Sequence, residues 1–561
     1  MLQVFADRLA VRPGRRHLFL LAATIATILF TGYHFGTFDQ TIHIPFLKKF
    51  ANPALFPNDP FLDLRFQHYS YFWFLFVPFY RLGVLEVTLF AVHVLVVYGT
   101  FWALWGLSEA LFHSSLASLL TVLGFMFPHI GFAGFPVIEF SLLNRTFVLP
   151  FLLLAIILFL RRRYWLAFGV VGLMYNLHVI SAQFVLAMFL FDGLLEFKRI
   201  GWRNLALGLV VFLVTAAPVL IWKLQASPVD FSLRPDWFQI IARGTLYNLF
   251  YLFPPYTYIL LTTVSGLSAL ALFLIARRNS PSSPLDRTVT IFIAAAVIIL
   301  AIQVVTAEWL PITIIIQSQI IRVGLFVLIF GYVYFANFLA QAYQAHLDPG
   351  DLGPLAGAYL LSVLPLAPLA VWLVQLVVRA RAWRRWLGWA IMATFLVSSF
   401  VIGFVYNVWS PGLHIFGPQT AWEDAQVWAR DNTPLNAVFI TPPQIWWLYQ
   451  SDWRVFSERS TVVTLSELLE AAFAPDYLAY WTPRFEAVAP GALAQFRGDL
   501  FENQRITAQA YYSLTAADFM RLGQRFGAQY LVVDSAHPYA LPLVYENQSY
   551  RIYSLRTVGA P

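Results

Sequence analysis

Apolar segments of roughly membrane-spanning length recur along most of this chain, and they constrain its fold more than any other feature. A helix that crosses the hydrocarbon core of a bilayer needs about 20 mostly apolar residues. Hydrophobic residues make up 59% of the 561 residues, and charged residues make up 12%, about half the usual share in soluble chains. An ordinary soluble enzyme is therefore excluded, because this much apolar surface needs the bilayer as its solvent.

Twelve apolar segments are predicted to form helices, and several are short enough to end inside the bilayer. They cover residues 17–33, 84–107, 115–127, 146–160, 164–177, 179–195, 205–222, 256–276, 289–305, 323–343, 358–378 and 386–408. The predicted fold is a polytopic α-helical membrane protein with about 11–13 transmembrane helices, spanning residues 1–410. A C-terminal soluble α/β domain follows at residues 411–561.

The basic residues predict the orientation of the bundle. Clusters at residues 12–16, 161–163, 198–203 and 277–278 fall at one end of consecutive hairpins, and Lys and Arg collect on the cytoplasmic side. We therefore expect a cytoplasmic N-terminus and, because 379–385 is also basic, an extracytoplasmic C-terminal domain. Twelve full crossings would instead return that domain to the cytoplasm. A proline-broken segment between residues 310 and 378 would resolve the conflict.

The C-terminal domain differs from the bundle in pattern and charge. Helical patterns at 420–430 and 516–526 alternate with strand-like runs, which favours one α/β domain. The strand-like runs cover residues 437–441, 454–457, 530–533 and 550–554. The domain carries 10 Arg, no Lys and 14 Asp and Glu, so the basic excess belongs to the bundle. The cytoplasmic loops of the bundle account for that basic excess, so no nucleic-acid partner is expected.

The chain has no cysteine. This removes a disulfide framework, a thiolate metal site and a cysteine nucleophile from consideration.

The first outer segment, residues 34–83, is long for a connection within a helical bundle, and long loops are often functional. Asp39 follows the first helix directly and is either the N-cap of the next helix or a catalytic carboxylate. His68 precedes an aromatic run, residues 69–80, that is typical of an interfacial helix at headgroup level.

Other charged residues of this segment have simpler interpretations. We expect Asp59 and Asp63 to serve as turn or cap residues. Lys48 and Lys49 are expected to form a solvated or headgroup-contacting face.

Further ionisable residues fall in the other outer turns. Glu139 and Arg145 flank the start of the fourth predicted helix, where they form an internal ion pair or leave Arg145 free for a lipid phosphate. His178 lies in a short turn and is either a hydrogen-bonded core residue or a ligand contact. Arg322 enters the bundle from the same side. Charges of both signs are therefore predicted to converge on one membrane face with Asp39.

Four stretches together resemble the GT-C class of integral-membrane glycosyltransferases, and the last two of them resemble poorly characterised bacterial members in particular. They are Phe38-Asp39-Gln40, the sequence NPALFPNDPF at 52–61, the segment from Glu139 to Arg145, and WEDAQVWARDNTPLNAVFITPP at 422–443. The resemblance implies inverting transfer of a hexosyl or pentosyl unit from a polyprenyl-phosphate-linked donor to an extracytoplasmic lipid, glycan or protein. It also implies a multi-pass protein of the bacterial inner membrane that takes part in cell-envelope glycan biosynthesis.

In this interpretation Asp39 is the catalytic base that takes the acceptor proton. Arg145, with His178 or Arg322, stabilises the departing phosphate, and Glu139 and His68 complete the substrate-binding set. The outer loop has a single acid at position 39, where several branches have paired acids, so a divalent metal is left open. A membrane transporter or lipid flippase, or a non-catalytic envelope-assembly protein, is the alternative.

Overall fold

A computed structural model describes residues 2–57, 59–226, 229–245, 249–252, 257–405, 409–443 and 450–556. Two parts are evident within these ranges: a mostly helical bundle and a smaller C-terminal region that contains a sheet. The predicted helical part and a C-terminal region with a sheet are therefore both present, and the division into two domains at residue 410 stays a prediction.

The bundle is a membrane-protein fold. Within the described ranges, six helices are long and apolar enough to cross a membrane. They are Leu85–Phe112, Trp202–Ala226, Ile259–Asn279, Asp286–Glu308, Ile320–Gln344 and Arg381–Val405. The fifth is the central helix, because 89% of its most apolar window is buried inside the protein.

Shorter helices pack against these six. The apolar ones are Ser115–Phe125, Asn144–Leu160, Tyr164–Tyr175, Val179–Leu195 and Leu366–Val377. Helices Leu2–Val11, Pro13–Thr31, Gln40–Ala51, Pro235–Gly244 and Pro349–Leu361 complete the larger set. The apolar ones have 11 to 17 residues, fewer than a straight crossing needs. The structure therefore supports six spans by length and composition, and the larger number stays a prediction.

The segment predicted at 358–378 is broken. Helix Pro349–Leu361 ends at Ser362, and a second helix, Leu366–Val377, begins after Pro365. The Val363 backbone N–H is satisfied by the Ser399 hydroxyl at 2.9 Å, so a neighbouring helix supplies the partner that the break removes. This break lies in the region where proline was expected to interrupt a crossing.

The first outer segment folds as a series of short helical pieces after helix Gln40–Ala51. These pieces are Pro60–Gln67, Trp73–Phe76 and Val77–Arg81. The aromatic run 69–80 therefore does not form one continuous helix, and its location at headgroup level stays a prediction. Phe72, Trp73 and Phe76 are buried, because their rings pack into the bundle.

The C-terminal region contains a five-stranded mixed sheet. Its spatial order is Ser460–Thr461, Val438–Ile440, Tyr530–Asp534, Tyr550–Ser554 and Leu543–Glu546. The first three strands are parallel and the last two pair antiparallel. Helices Ala421–Asn432, Leu478–Val488, Leu500–Tyr512 and Ala516–Phe526 accompany the sheet.

Three of the four predicted strands are present, and the one at 454–457 is wrong. Residues Trp453–Ser457 form a short helix, because the Asp452 side chain caps it by accepting a hydrogen bond from the Arg454 backbone N–H at 3.1 Å.

The C-terminal region packs firmly on the first outer segment. The Arg454 guanidinium is buried between Asp59, at 2.6 Å, and Glu467, at 2.7 Å. The Lys48 ammonium is also buried and donates to Glu458 at 2.7 Å. Asp59 and Lys48 thus differ from the turn residue and the solvated cation that were expected, because each meets an oppositely charged partner from the C-terminal region.

Asp63 and Lys49 are closer to expectation. Asp63 pairs with Arg65 at 3.0 Å and its side chain is 73% exposed. Lys49 donates to backbone carbonyls of its own loop, including that of Pro53 at 3.0 Å.

In addition to these ion pairs, a short strand pair connects the helical bundle to the C-terminal region. Strand Tyr33–His34 pairs in parallel with Leu413–His414. Gly32 makes this approach possible: its φ is +89°, and a β-carbon there would lie 1.7 Å from the Ser410 carbonyl oxygen. Only glycine fits at this position without moving the backbone.

Candidate functional site

Four of the six predicted site residues gather at one end of the bundle. Asp39 and Glu139 both bind the Arg145 guanidinium. Arg145 and Arg322 in turn both contact the ring of Phe135, with their guanidinium carbons 4.9 Å and 4.8 Å from its centroid. The convergence predicted from the outer turns is therefore present in the structure.

The Asp39 side chain points into this cluster. Asp39 occupies the N-cap position of helix Gln40–Ala51, but its carboxylate makes no capping hydrogen bond and instead accepts one from Arg145 Nη1. The preceding residue, Phe38, has a φ of +58°, a conformation that costs a bulky residue on the order of 1–3 kcal/mol. Backbone strain of this kind is often found at functional sites, where it helps to orient a side chain.

Gln40 fixes the turn that carries Asp39. Its amide nitrogen donates to the Leu142 carbonyl at 2.9 Å, and its amide oxygen accepts from the Gly36 backbone N–H at 2.9 Å. The side chain is completely buried. Gln40 therefore ties the first outer segment to the loop that carries Glu139.

Arg145 lies in the first turn of helix Asn144–Leu160 and is held by a two-point ion pair. Its Nε donates to Glu139 Oε1 at 2.7 Å, and its Nη2 donates to Glu139 Oε2 at 2.6 Å. With the bond to Asp39, three of its five N–H donors are used within the described residues. The expected internal ion pair is thus formed, and two donors remain for a further anion.

Arg322 carries a positive charge without a direct counter-ion. It lies in the short helix Ile320–Val323, after Gln319 in a left-handed conformation with φ +42°. Its Nε is buried and has no hydrogen-bond partner, and no carboxylate in the described ranges is within ion-pair distance. The side chain as a whole is partly exposed, so an anion can approach the guanidinium, and an enclosed donor without a partner costs free energy.

The electrostatics keep Asp39 ionised. Burial alone would raise the pKa of the Asp39 carboxyl, but the charge of Arg145, helped by His43 and Arg322, holds that pKa below its ordinary value. The side chain keeps 26% of its surface exposed. Asp39 is therefore a carboxylate at neutral pH and can be reached from outside the cluster.

His178 lies beside this cluster as a hydrogen-bonded N-cap. Its Nδ1 accepts from the Ser181 backbone N–H at 3.2 Å, at the start of helix Val179–Leu195. Burial, together with the charges of Arg322 and Arg145, holds the pKa of His178 well below its usual value. His178 is therefore neutral and can offer a polar contact but not a charge.

His68 belongs to a neighbouring group. Its Nδ1 lies 3.5 Å from Glu470 Oε2, and its ring meets the His43 ring with centroids 4.4 Å apart. The ligand atoms of His43, His68 and Glu470 all lie within 4.8 Å of one another. His43 follows Asp39 by one helical turn, so the two groups are adjacent.

The surroundings of Asp39 do not fit a divalent metal. A metal site there would need a second carboxylate, and Glu139 is occupied at both oxygens by Arg145. The Arg145 charge between the two acids would repel a cation.

The sequence did not single out three contributors: Gln40, Phe135 and Glu470. Gln40 adjoins Asp39, so its position was a usable signal. Nothing in the pattern links Phe135 to two arginines or Glu470 to a histidine about 400 residues earlier.

Comparison with known proteins gives a match in the C-terminal region. A family model described as a domain of unknown function, DUF6798, matches residues 420–488. No curated protein matches the chain. The matched residues include Arg454, Glu458 and Glu470, each of which contacts a residue of the first outer segment.

Replacing one acid of the cluster tests its structural role. We expect Glu139→Gln to lower the free energy of unfolding by roughly 3 kcal/mol, because Arg145 and Arg322 then face Asp39 alone in a buried setting. Equilibrium denaturation in detergent measures this change. Glu502→Gln is the matched control, since Glu502 forms an exposed pair with Arg505 and its loss should leave stability unchanged. Equal stability of both variants would contradict the account.

Proposed function

We propose that this protein is a membrane glycosyltransferase of the GT-C type that transfers a sugar from a polyprenyl-phosphate donor. One observation carries the proposal: an accessible carboxylate, Asp39, shares a site with two guanidiniums that both contact the Phe135 ring. Transfer from a phosphate-linked sugar needs this combination. One group must take the proton of the acceptor hydroxyl, and others must stabilise the negative charge that grows on the leaving phosphate.

Asp39 is the proposed base. It takes the proton of the acceptor hydroxyl as that oxygen bonds to the anomeric carbon, and the bond from this carbon to the phosphate oxygen breaks. The phosphate leaves as an anion and needs no acid. A single displacement of this kind inverts the anomeric centre.

Arg145 and Arg322 are the proposed phosphate contacts. Arg322 has no counter-ion in the described part of the chain, and Arg145 has two donors to spare. When Asp39 becomes protonated, its attraction for Arg145 falls. More of the Arg145 charge then acts on the leaving phosphate, so the proton transfer and the charge development support each other.

The remaining residues position the substrate. Glu139 holds the Arg145 fork at two points, and neutral His178 offers a hydrogen bond at the edge of the site. The prenyl chain would lie along the apolar bundle, and the acceptor would approach from the C-terminal region.

Replacing the proposed base, Asp39, tests this reaction directly. Asp39→Asn should lower release of polyprenyl phosphate by at least about 100-fold, the smaller contribution typical of a general base. The assay uses the full-length protein in proteoliposomes with a panel of hexosyl and pentosyl polyprenyl-phosphate donors, and mass spectrometry of the lipid product. Asp63→Asn serves as control because Asp63 is largely exposed. Unchanged turnover of Asp39→Asn, or no release by the wild-type protein from any donor, would contradict the proposal.

We also propose that the site faces the extracytoplasmic side of a bacterial inner membrane. Support comes from the basic clusters, which lie at the ends of hairpins away from the site-bearing turns.

Because the chain has no cysteine, single cysteines report this orientation directly. In right-side-out spheroplasts, a membrane-impermeant maleimide should label Ser513→Cys, on the exposed surface of the C-terminal region. It should label Ser282→Cys, in the exposed turn after Arg277 and Arg278, only after permeabilisation. The reverse pattern would show the opposite orientation.

A further inference from the structure

Two histidines of the first outer segment meet one glutamate of the C-terminal region in a compact group. His43 and Glu470 are each 4% exposed. His68 keeps 18% of its side-chain surface exposed. Their ligand atoms lie within 4.8 Å of one another, and His68 Nδ1 is already 3.5 Å from Glu470 Oε2. In a tetrahedral zinc site, with bonds of about 2.0–2.2 Å, neighbouring ligand atoms are about 3.4 Å apart.

The group is incomplete as a hydrogen-bonded cluster. The Nδ1 atom of His43 is enclosed by protein and has no hydrogen-bond partner. An enclosed polar atom in this state costs free energy. Nothing among the described residues supplies the missing partner, so His43 has an unsatisfied ring nitrogen that a bound ion or ligand can complete.

The surroundings hold each ligand in place. The His43 ring stacks on Trp73 with centroids 5.2 Å apart, and the His68 ring meets Phe473 edge-on at 6.1 Å. Glu470 lies on helix Glu467–Ala471, and that helix is anchored because Glu467 binds both Arg454 and the Tyr477 hydroxyl, each at 2.7 Å. Ligands fixed by outer contacts of this kind are typical of metal sites.

We propose that His43, His68 and Glu470 bind a divalent transition-metal ion of the zinc class. Two imidazoles and one carboxylate are a set that zinc prefers, whereas magnesium and calcium prefer oxygen ligands alone. Three protein ligands leave the fourth tetrahedral position for water or an oxygen of a bound anion. The exposed edge of His68 provides the route of entry.

The ion would join the first outer segment to the C-terminal region. Two ligands come from residues 34–83 and the third from the part matched by DUF6798. Binding that requires both parts stabilises the docked arrangement, because the ion binds the folded form and not the separated one. This inference does not depend on the proposed sugar transfer.

Metal binding is measured on the full-length protein in detergent, purified through a tag that contains no histidine and stripped with EDTA. After equilibration with ZnCl2 we expect one zinc per chain by mass spectrometry. Zinc should raise the Tm by a few degrees, and MgCl2 should not. Cobalt should give the intense visible absorption of a tetrahedral site.

Variants assign the ion to these residues. Glu470→Gln keeps the side-chain shape, and His68→Ala removes a partly exposed ring, so both variants should fold. Each should weaken zinc binding by more than about 100-fold, since even loss of an outer-shell partner costs 10–100-fold. His346→Ala is the control, because His346 is exposed and away from the group. Absence of stoichiometric zinc in the wild-type protein, or unchanged zinc affinity in both variants, would overturn the proposal.

Discussion

The ion-pair fork at Arg145 is the interaction on which this end of the molecule depends. One guanidinium binds Glu139 at two points and Asp39 at a third, and this joins the first outer segment to the loop ahead of helix Asn144–Leu160. Burying charges is costly unless they are paired in good geometry. The Arg145 ion pairs meet that condition. They leave Asp39 accessible, and Arg322 has no direct ion-pair partner among the described residues.

The C-terminal region keeps this arrangement in place from outside. Helix Gln40–Ala51 begins just after Asp39, and its last turn is anchored where Lys48 binds Glu458. The buried Arg454 then holds Asp59 further along the same segment. The long first segment therefore does not behave as a free loop. It is fixed at both ends of its helix, so the direction of the Asp39 carboxylate is set by contacts on two sides.

Two neighbouring groups of side chains share this framework but favour ligands of opposite charge. The cluster around Arg145 and Arg322 has spare positive charge and suits an anion. The group of His43, His68 and Glu470 has imidazole and carboxylate ligands and suits a cation. His43 lies one turn after Asp39 on the same helix. An anion held by the arginines and a cation held by the histidines would attract each other across this short distance.

Much of this framework could be predicted from the sequence, because strong local patterns determine it. The apolar segments predicted the helices, and the outer turns predicted that Asp39, Glu139, Arg145 and Arg322 would lie at one end. Glu139 and Arg145 are six residues apart, so their pairing was an open alternative at that stage.

Predictions failed where the partner is distant in sequence or the local pattern is ambiguous. Lys48 was expected to be solvated, because nothing nearby indicates Glu458, some 400 residues later. The run 454–457 is too short for its hydrophobic periodicity to distinguish a strand from a helix. The Asp452 side chain caps the segment and stabilises it as a helix. The aromatic run 69–80 was expected to form one helix, but it forms two short helical pieces, and tertiary packing buries Trp73.

The proposed function requires Arg145 and Arg322 to hold the phosphate of a prenyl lipid next to Asp39. A cryo-electron microscopy structure of the full-length protein with bound polyprenyl phosphate is the decisive measurement. We expect phosphate oxygens about 3 Å from both guanidiniums, with the Asp39 carboxylate facing the same cavity. A phosphate bound elsewhere, with the Asp39, Glu139 and Arg145 cluster unchanged and Arg322 still without an anion, would contradict it.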